Sequence, residues 1–324
     1  MSEDYQSAFV ADGVDKWYAK AMVRVRDHVI GNDEWHTGLS LYNRDLTPYT
    51  QHPLVEALGP QAVLQLGAGR LGDYLAKTEV VELEIVNRAV EHILRLPGIS
   101  EPMRMDLLKV YTDEGYHVLM MAEFREHIRR HTGVWLERTP SRELGEIERL
   151  VMSFSPDKRP LAVMCCAIVT ETLITATLRQ AGGRSVYAPV SRMLAEHAAD
   201  EARHHAFFHR FAETYLPTVS AKERALIEQV LQEVLWYFLC PDFTRLRDDL
   251  VAQGLTLRQA ETVVEESFDR ARLREQFLSA SAASRKLFTG LGFDAGEAFA
   301  DQLTRLDGGS LLSVSSSVLV KDKR

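Results

Sequence analysis

Apolar residues recur three and four positions apart over most of this 324-residue chain, whereas Val/Ile-rich runs with two-residue alternation are nearly absent. Because spacings of three and four place side chains on one face of an α-helix, the pattern predicts an all-α protein. Hydrophobic residues make up 46% of the chain, which is enough for a substantial core. We therefore expect one domain over residues 1–324, with a helical bundle and additional helices.

Gly and Pro divide the periodic segments, most clearly at Pro97-Gly98 and Gly182-Gly183. Residues 1–59 should form an N-terminal helix and a covering loop, and residues 308–324 a frayed tail. The ligand-bearing core is expected over about 60–290. The predicted helices span about 10–29, 60–95, 101–131, 142–153, 158–181, 185–215, 220–247 and 256–289.

Charge and composition exclude several classes of function. The net charge is −8, and the basic residues are scattered, so nothing indicates binding to nucleic acid or to an anionic membrane. The N-terminus lacks the features of a signal peptide, and no apolar run approaches the length of a membrane span. There are three cysteines, and the adjacent pair Cys165 and Cys166 suits the core better than a disulfide. We expect a cytoplasmic protein.

The strongest motif is AEHAADEARHHAFFHRF, in which His197, Glu201 and His204 share one helical face. The segment YTDEGYHVLMMAE carries Glu114 and His117 at the same Glu-x-x-His spacing. One such pair arises often by chance and is usually solvated. Two of them on long apolar helices are much rarer, and this spacing is typical of dinuclear carboxylate bundles.

A dinuclear bundle needs one more carboxylate from each of two further helices. Glu171 lies in LAVMCCAIVTETLITATL, where an unpaired carboxylate would cost several kcal/mol to bury. The segment LAKTEVVELEIVNRAV offers Glu79, Glu82 and Glu84, and spacing alone does not choose among them. Oxygen and nitrogen ligands without thiolate suit iron or manganese.

Two neighbouring acids have two open interpretations. Asp113 and Asp200 each precede a predicted ligand glutamate, so they either orient histidine rings or are ordinary surface acids. His205 and His209 are out of register with the ligand face and are predicted not to be ligands.

The segment LQLGAGRLGDYL has the glycine spacing of a dinucleotide-binding turn. That motif indicates phosphate binding only between a strand and a helix, and no strand is predicted nearby. We expect its glycines to allow close helix packing instead.

With these motifs the sequence resembles the p-aminobenzoate N-oxygenase family, a branch of the ferritin-like dimetal oxygenases, over roughly residues 60–290. His197 matches an additional ligand of that family. Thr177 and Leu178, in the continuation ITATL, match small positions that line its substrate pocket, and Thr78 is expected beside them. The resemblance implies a ferritin-like four-helix core.

The same resemblance matches the pair Thr78-Glu79 to the first ligand position and so selects Glu79. It implies that Glu114 and Glu201 bridge two metals, with the remaining ligands divided into Glu79 and His117 for one metal and Glu171, His197 and His204 for the other.

The resemblance also implies a function. Family members use two iron ions and O2 to convert arylamines into hydroxylamine, nitroso or nitro products, with electrons from an external donor. We expect a natural-product-like amine as substrate and a homodimer. Alternatives are a diiron C-hydroxylase or oxidase, a ferroxidase or storage bundle, and a helical interaction protein whose core histidines bind no metal.

Overall fold

The computed structural model describes residues 17–24, 35–36, 38–138, 142–295 and 297–314. Within these ranges the regular structure is helical, apart from an isolated parallel bridge between Ser40 and Val186. The all-α prediction is confirmed. The α-helices are α1 Trp17–Lys20, α2 Pro53–Glu56, α3 Pro60–Val80, α4 Asn87–Ile93, α5 Glu101–Thr132, α6 Arg142–Ser153, α7 Arg159–Ala181, α8 Ala188–Tyr215, α9 Ala221–Leu239, α10 Phe243–Ala252, α11 Leu257–Ser267, α12 Arg270–Ala280, α13 Ala282–Gly290, α14 Glu297–Leu303 and α15 Leu311–Val314.

Four long helical segments form the central bundle: α3 with α4, α5, α7 and α8. Local chemistry sets their ends. Ser100 caps α5 by accepting a hydrogen bond from the backbone of Met103, and Gly133 ends it with a φ of 72°. This left-handed conformation strains a residue that has a Cβ, so glycine ends the helix at little cost.

The first bundle helix is interrupted by a π-helical turn. Helix α3 runs into the turn Val81–Val86, and α4 continues from it in the same direction. A π-helical turn accommodates one extra residue in a helix and often marks a functional site. Glu82 lies in this turn and is 1% exposed.

The core of the bundle is divided by a polar layer. One apolar cluster contains Val110 and Phe207, and the other contains Leu75 and Phe124. On each of the four bundle segments, residues of one cluster are followed by buried acidic or imidazole side chains and then by residues of the other cluster. The polar groups are thus held far from solvent on both sides.

Helices α6 and α9 to α15 pack around the bundle, and α9 lies against both α7 and α6. Ser220 and Glu223 form a capping box that starts α9. The predicted helix 220–247 is wrong, because the chain breaks near Pro241, whose ring cannot continue the backbone hydrogen bonds. The predicted helix 256–289 is also wrong. It is three helices, the second of which starts at an Asp269 cap.

At the N-terminal side, helix α1 and the 3₁₀ turn Met22–Arg24 lie within the predicted helix 10–29, and its other residues lie outside the described ranges. Residues 38–58 contain two 3₁₀ turns and α2, with Tyr42 and Val55 buried. At the other end, Leu311 is buried against the outer helices, whereas 315–324 lie outside the described residues. In the described part of the chain, no helix has the length and apolarity needed to span a membrane.

Candidate metal centre

The polar layer brings together four glutamates and three histidines, none more than 1% exposed. They form two groups that share Glu201, and within each group the potential ligand atoms lie within 4.8 Å of one another. All four bundle segments contribute. The first group is Glu82, His117, His197 and Glu201, and the second is Glu114, Glu171, Glu201 and His204.

In the first group, His197 is the closest partner of the carboxylates. Its Nε2 lies 3.0 Å from Glu82 Oε1 and 3.1 Å from Glu201 Oε1. The Nδ1 atom of His117 lies 3.4 Å from Glu201 Oε1 and 3.6 Å from Glu82 Oε1. Two ring nitrogens and two carboxylates therefore point at one small volume.

In the second group, His204 faces carboxylates from two other helices. Its Nδ1 lies 3.0 Å from Glu114 Oε1 and 3.8 Å from Glu171 Oε2. The other oxygen of Glu114 lies 3.4 Å from His117 Nδ1. Glu114 thus faces a histidine of each group, which is the placement a bridging carboxylate requires.

Many of these atoms have no hydrogen-bond partner in the protein. Both carboxylate oxygens of Glu82, Glu114 and Glu171 are buried and without such a bond, as are His117 Nδ1 and His204 Nδ1. Buried polar groups without partners cost free energy, and folded proteins rarely keep several together. Converging orphan oxygen and nitrogen atoms fit divalent cations, which would satisfy all of them at once.

The pKa values of His117, His197 and Glu171 also indicate a site that is incomplete without positive charge. Burial alone lowers the pKa of His117 and of His197, but the carboxylates around each ring outweigh it and raise the pKa to about 9 for His117 and about 10 for His197. Burial raises the pKa of Glu171 well above its usual range, and the charges of Glu201 and Glu114 add to the rise. Without a metal, protons on these three side chains therefore reduce the repulsion among the carboxylates, a role that bound cations would otherwise have.

Two aspartates, one on each ligand helix, contact a histidine on the opposite helix. The sequence Asp-Glu-x-x-His occurs in both, at Asp113 and at Asp200. Asp200 Oδ2 lies 3.1 Å from His117 Nε2, and Asp113 Oδ2 lies 3.2 Å from His204 Nε2. Each helix thus orients the histidine of the other, leaving Nδ1 of both rings directed at the glutamates. Both aspartates are 1% exposed, so the ring-orienting interpretation is confirmed and the surface interpretation is excluded.

The third histidine, His197, is held from its far side by a residue that is not an aspartate and that the sequence did not indicate. The hydroxyl of Tyr74 lies 3.0 Å from His197 Nδ1. Burial raises the pKa of Tyr74 well above its usual range and keeps the phenol neutral. The other nitrogen of this ring, Nε2, lies 3.1 Å from Glu201 Oε1, so the Tyr74 hydroxyl fixes the orientation of the ring from its far side.

The structure places Glu79, which was predicted to be a ligand, outside both groups. Glu79 lies in neither group, and its Oε1 accepts a hydrogen bond of 3.2 Å from Arg125 Nε, while Glu82 takes the predicted place. On a regular helix, residues three apart differ by only about 60° in direction, so both point roughly the same way. The π-helical turn that contains Glu82, and the guanidinium beside Glu79, decide between them.

The structure also groups His197 differently from the prediction. His197 was expected to share a metal with Glu171 and His204, but it groups with Glu82 and His117. The reason is geometric: His197 precedes Glu201 by one turn and His204 follows it by nearly one turn, so the two rings reach opposite sides of that carboxylate.

The remaining predicted positions fall as follows. Thr78 is buried, and Leu178 is buried in the apolar cluster that contains Leu75. Thr177 belongs to α7, but its side chain lies outside the described part of the structure. The substrate pocket stays a prediction.

The glycine-rich motif lies inside α3 and not at a strand-to-helix turn. A Cβ on Gly72 would lie 3.1 Å from the backbone oxygen of Glu137, whereas a Cβ on Gly67 would have nothing within 4 Å. Close packing therefore explains Gly72. Cys165 and Cys166 are buried free thiols, as expected of core residues, and neither His205 nor His209 is in either ligand group.

A four-helix bundle whose segments supply paired carboxylates and two Glu-x-x-His motifs to a common interior site defines a dinuclear carboxylate protein. The family model described as p-aminobenzoate N-oxygenase AurF matches residues 33–292 of this chain. The match covers most of the chain, and the protein belongs to this family. Members are diiron N-oxygenases, so the protein is an oxidoreductase.

Proposed function

We propose that the protein is a non-haem diiron oxygenase that activates O2 and oxidises the amine nitrogen of a small, natural-product-like molecule to hydroxylamine, nitroso or nitro. The observation that carries the proposal is the pair of buried groups sharing Glu201, most of whose inward-facing oxygen and nitrogen atoms have no hydrogen bond within the protein. Family membership supports the reaction class.

The donor set supports iron, with manganese as the alternative, because it contains carboxylates and imidazoles and no thiolate. Four carboxylates balance the charge of two divalent ions, which makes burial of the loaded site tolerable. In the proposed arrangement, Glu201 and Glu114 would help to hold both ions. The other ligands would be Glu82, His117 and His197 for one ion and Glu171 and His204 for the other.

Bound iron would supply the electrons that activate O2, and the chain supplies the environment. Asp113, Asp200 and Tyr74 hold the outer nitrogens of the three rings, which fixes the direction of their inner nitrogens. The apolar clusters on both sides exclude water, which protects a reactive site from side reactions.

The reaction also defines the partners. Conversion of an amine to a hydroxylamine by O2 consumes two electrons and two protons and releases water, so an external electron donor is required. We propose that this donor is a small reductase or a reduced cofactor, and that the enzyme acts in the cytoplasm as a homodimer.

The test is a single-turnover reaction of iron-loaded, reduced protein with ¹⁸O2 and a panel of arylamines that includes p-aminobenzoate. The expected result is two irons per chain and a product with ¹⁸O on nitrogen, identified by mass spectrometry with ¹⁵N-labelled amine. The matched control is Glu171→Ala, which should lose iron and product together.

Other outcomes would overturn the proposal. Label on carbon would indicate a C-hydroxylase. Continued Fe(II) oxidation with many irons retained per chain and no organic product would indicate a ferroxidase. A protein that retains no iron after anaerobic loading would remove the enzymatic interpretation.

A further inference from the structure

The segment Trp17–Arg24 crosses the bundle at the two aspartates that orient the histidines. The indole N–H of Trp17 donates to both oxygens of Asp113, each at 2.9 Å. The backbone N–H of Met22 donates to Asp200 Oδ2 at 3.2 Å. One short segment, distant in sequence from both ligand helices, thus holds the outer partner of a histidine in each metal group.

The same oxygen atoms serve both contacts. Asp113 Oδ2 accepts from Trp17 and faces His204 Nε2, and Asp200 Oδ2 accepts from the Met22 amide and faces His117 Nε2. A donor that fixes an aspartate oxygen therefore also fixes the histidine on its other side.

Burial makes these contacts strong. Trp17 is 9% exposed and Met22 is 4% exposed. The 3₁₀ turn Met22–Arg24 lies against both α5 and α8. Hydrogen bonds to a carboxylate are among the stronger ones in proteins, more so where water is excluded. Without the segment, Asp113 would lose two short donor contacts and its carboxylate would be free to turn toward water.

We propose that Trp17–Arg24 is a positioning strap of the metal centre: Trp17 acts through Asp113 on His204, and the Met22 amide acts through Asp200 on His117. The inference rests on the proposed dimetal site. If the docked strap raises the affinity of the site for metal, then bound metal must stabilise the docked strap by the same factor, because coupling between two binding events is reciprocal.

The first experiment is an anaerobic Co(II) titration of Trp17→Phe, which keeps an aromatic ring but removes the N–H. Loss of a residue that hydrogen-bonds a metal ligand typically weakens affinity about 10–100-fold. Because Trp17 acts one step further out, through Asp113, we expect the lower end of this range, about 10-fold. The control is Trp35→Phe, since Trp35 packs edge-on against Tyr187. It should bind Co(II) like the wild type.

Wild-type affinity in Trp17→Phe would overturn the strap. If Trp35→Phe lost as much affinity as Trp17→Phe, the effect would be general loosening of the fold, which would also overturn it. Wild-type protein that binds no Co(II) would overturn the proposed function instead, so the two failures are distinguishable.

The second experiment needs no variant. Hydrogen exchange of the Met22 amide is measured in wild-type protein with and without Co(II). Reciprocity predicts that Co(II) slows this exchange by up to the same factor of about 10. Unchanged exchange at Met22 in protein that has bound Co(II) would refute the coupling.

Discussion

Exchange of Glu82 for Gln should weaken metal binding, whereas the same exchange at Glu79, which pairs with Arg125, should not. The substitution keeps the shape and removes the charge of a residue that is 1% exposed and whose two oxygens lack hydrogen bonds in the protein. Outer partners of ligands are worth about 10–100-fold in metal affinity, so a direct ligand should cost at least about 100-fold, or about 2.8 kcal/mol. We expect Glu82→Gln to bind one ion per chain tightly.

The matched variant is Glu79→Gln, three positions earlier, at the end of α3 just before the π-helical turn. Its target is the ion pair with Arg125, which also donates to the backbone oxygens of Leu136 and Glu137. Gln can still accept a hydrogen bond, so the loss of unfolding free energy should be about 1–3 kcal/mol, and metal binding should be retained.

Both variants are compared by anaerobic equilibrium dialysis against Fe(II), with metal analysis, and by calorimetric unfolding. The reasoning is refuted if Glu79→Gln loses an ion while Glu82→Gln retains two. That result would restore the ligand assignment implied by the family resemblance.

Three further outcomes are expected. Gly72→Ala should lower thermal stability, because the added Cβ would press on a backbone oxygen. Gly67→Ala should raise the free energy of unfolding by up to about 1 kcal/mol, because alanine has the higher helix propensity and the added Cβ has nothing within 4 Å. Unfolding curves that ranked the two variants the other way would contradict the packing argument. Tyr74→Phe removes the hydroxyl that contacts His197 Nδ1, so a Co(II) titration should show about 10-fold weaker binding of one of the two ions. Equally weakened binding of both ions would argue against the two groups described here. Because the pKa values of His117 and His197 are raised to about 9 and about 10, both rings are protonated at neutral pH without metal. Metal binding should therefore release protons, and metal affinity should increase as the pH rises from 6 to 8. Calorimetry in buffers of different ionisation enthalpy that detects no proton release would contradict this.

Sequence periodicity was sufficient for the two ligand helices with repeated Glu-x-x-His motifs. Spacing on a regular helix is a local property, so His117 and His204 could be placed on their ligand faces without coordinates. Glu171 was found for a different reason. A single carboxylate in a very apolar helix is costly unless something pairs with it, and that argument needs no knowledge of the neighbours.

The first ligand helix could not be resolved in this way. Choosing Glu82 over Glu79 depends on a π-helical turn and on Arg125, which arrives from another helix. Assigning His197 to a group depends on the rotation of the bundle helices relative to one another. Tyr74 and Trp17 were missed because their contacts cross 123 and 96 positions of sequence, respectively, with no local pattern to reveal them.

The π-helical turn at Val81–Val86 also decides where the length of the first bundle helix can change. Because the turn holds one residue more than regular α geometry, removing a single residue there would let the helix become uninterrupted while α3 and α4 keep their rotation relative to each other. Tyr74 would still face His197, and only the residues of the turn, Glu82 among them, would change direction. The same deletion within α3 would instead rotate everything before it by about 100° and turn Tyr74 away from the centre.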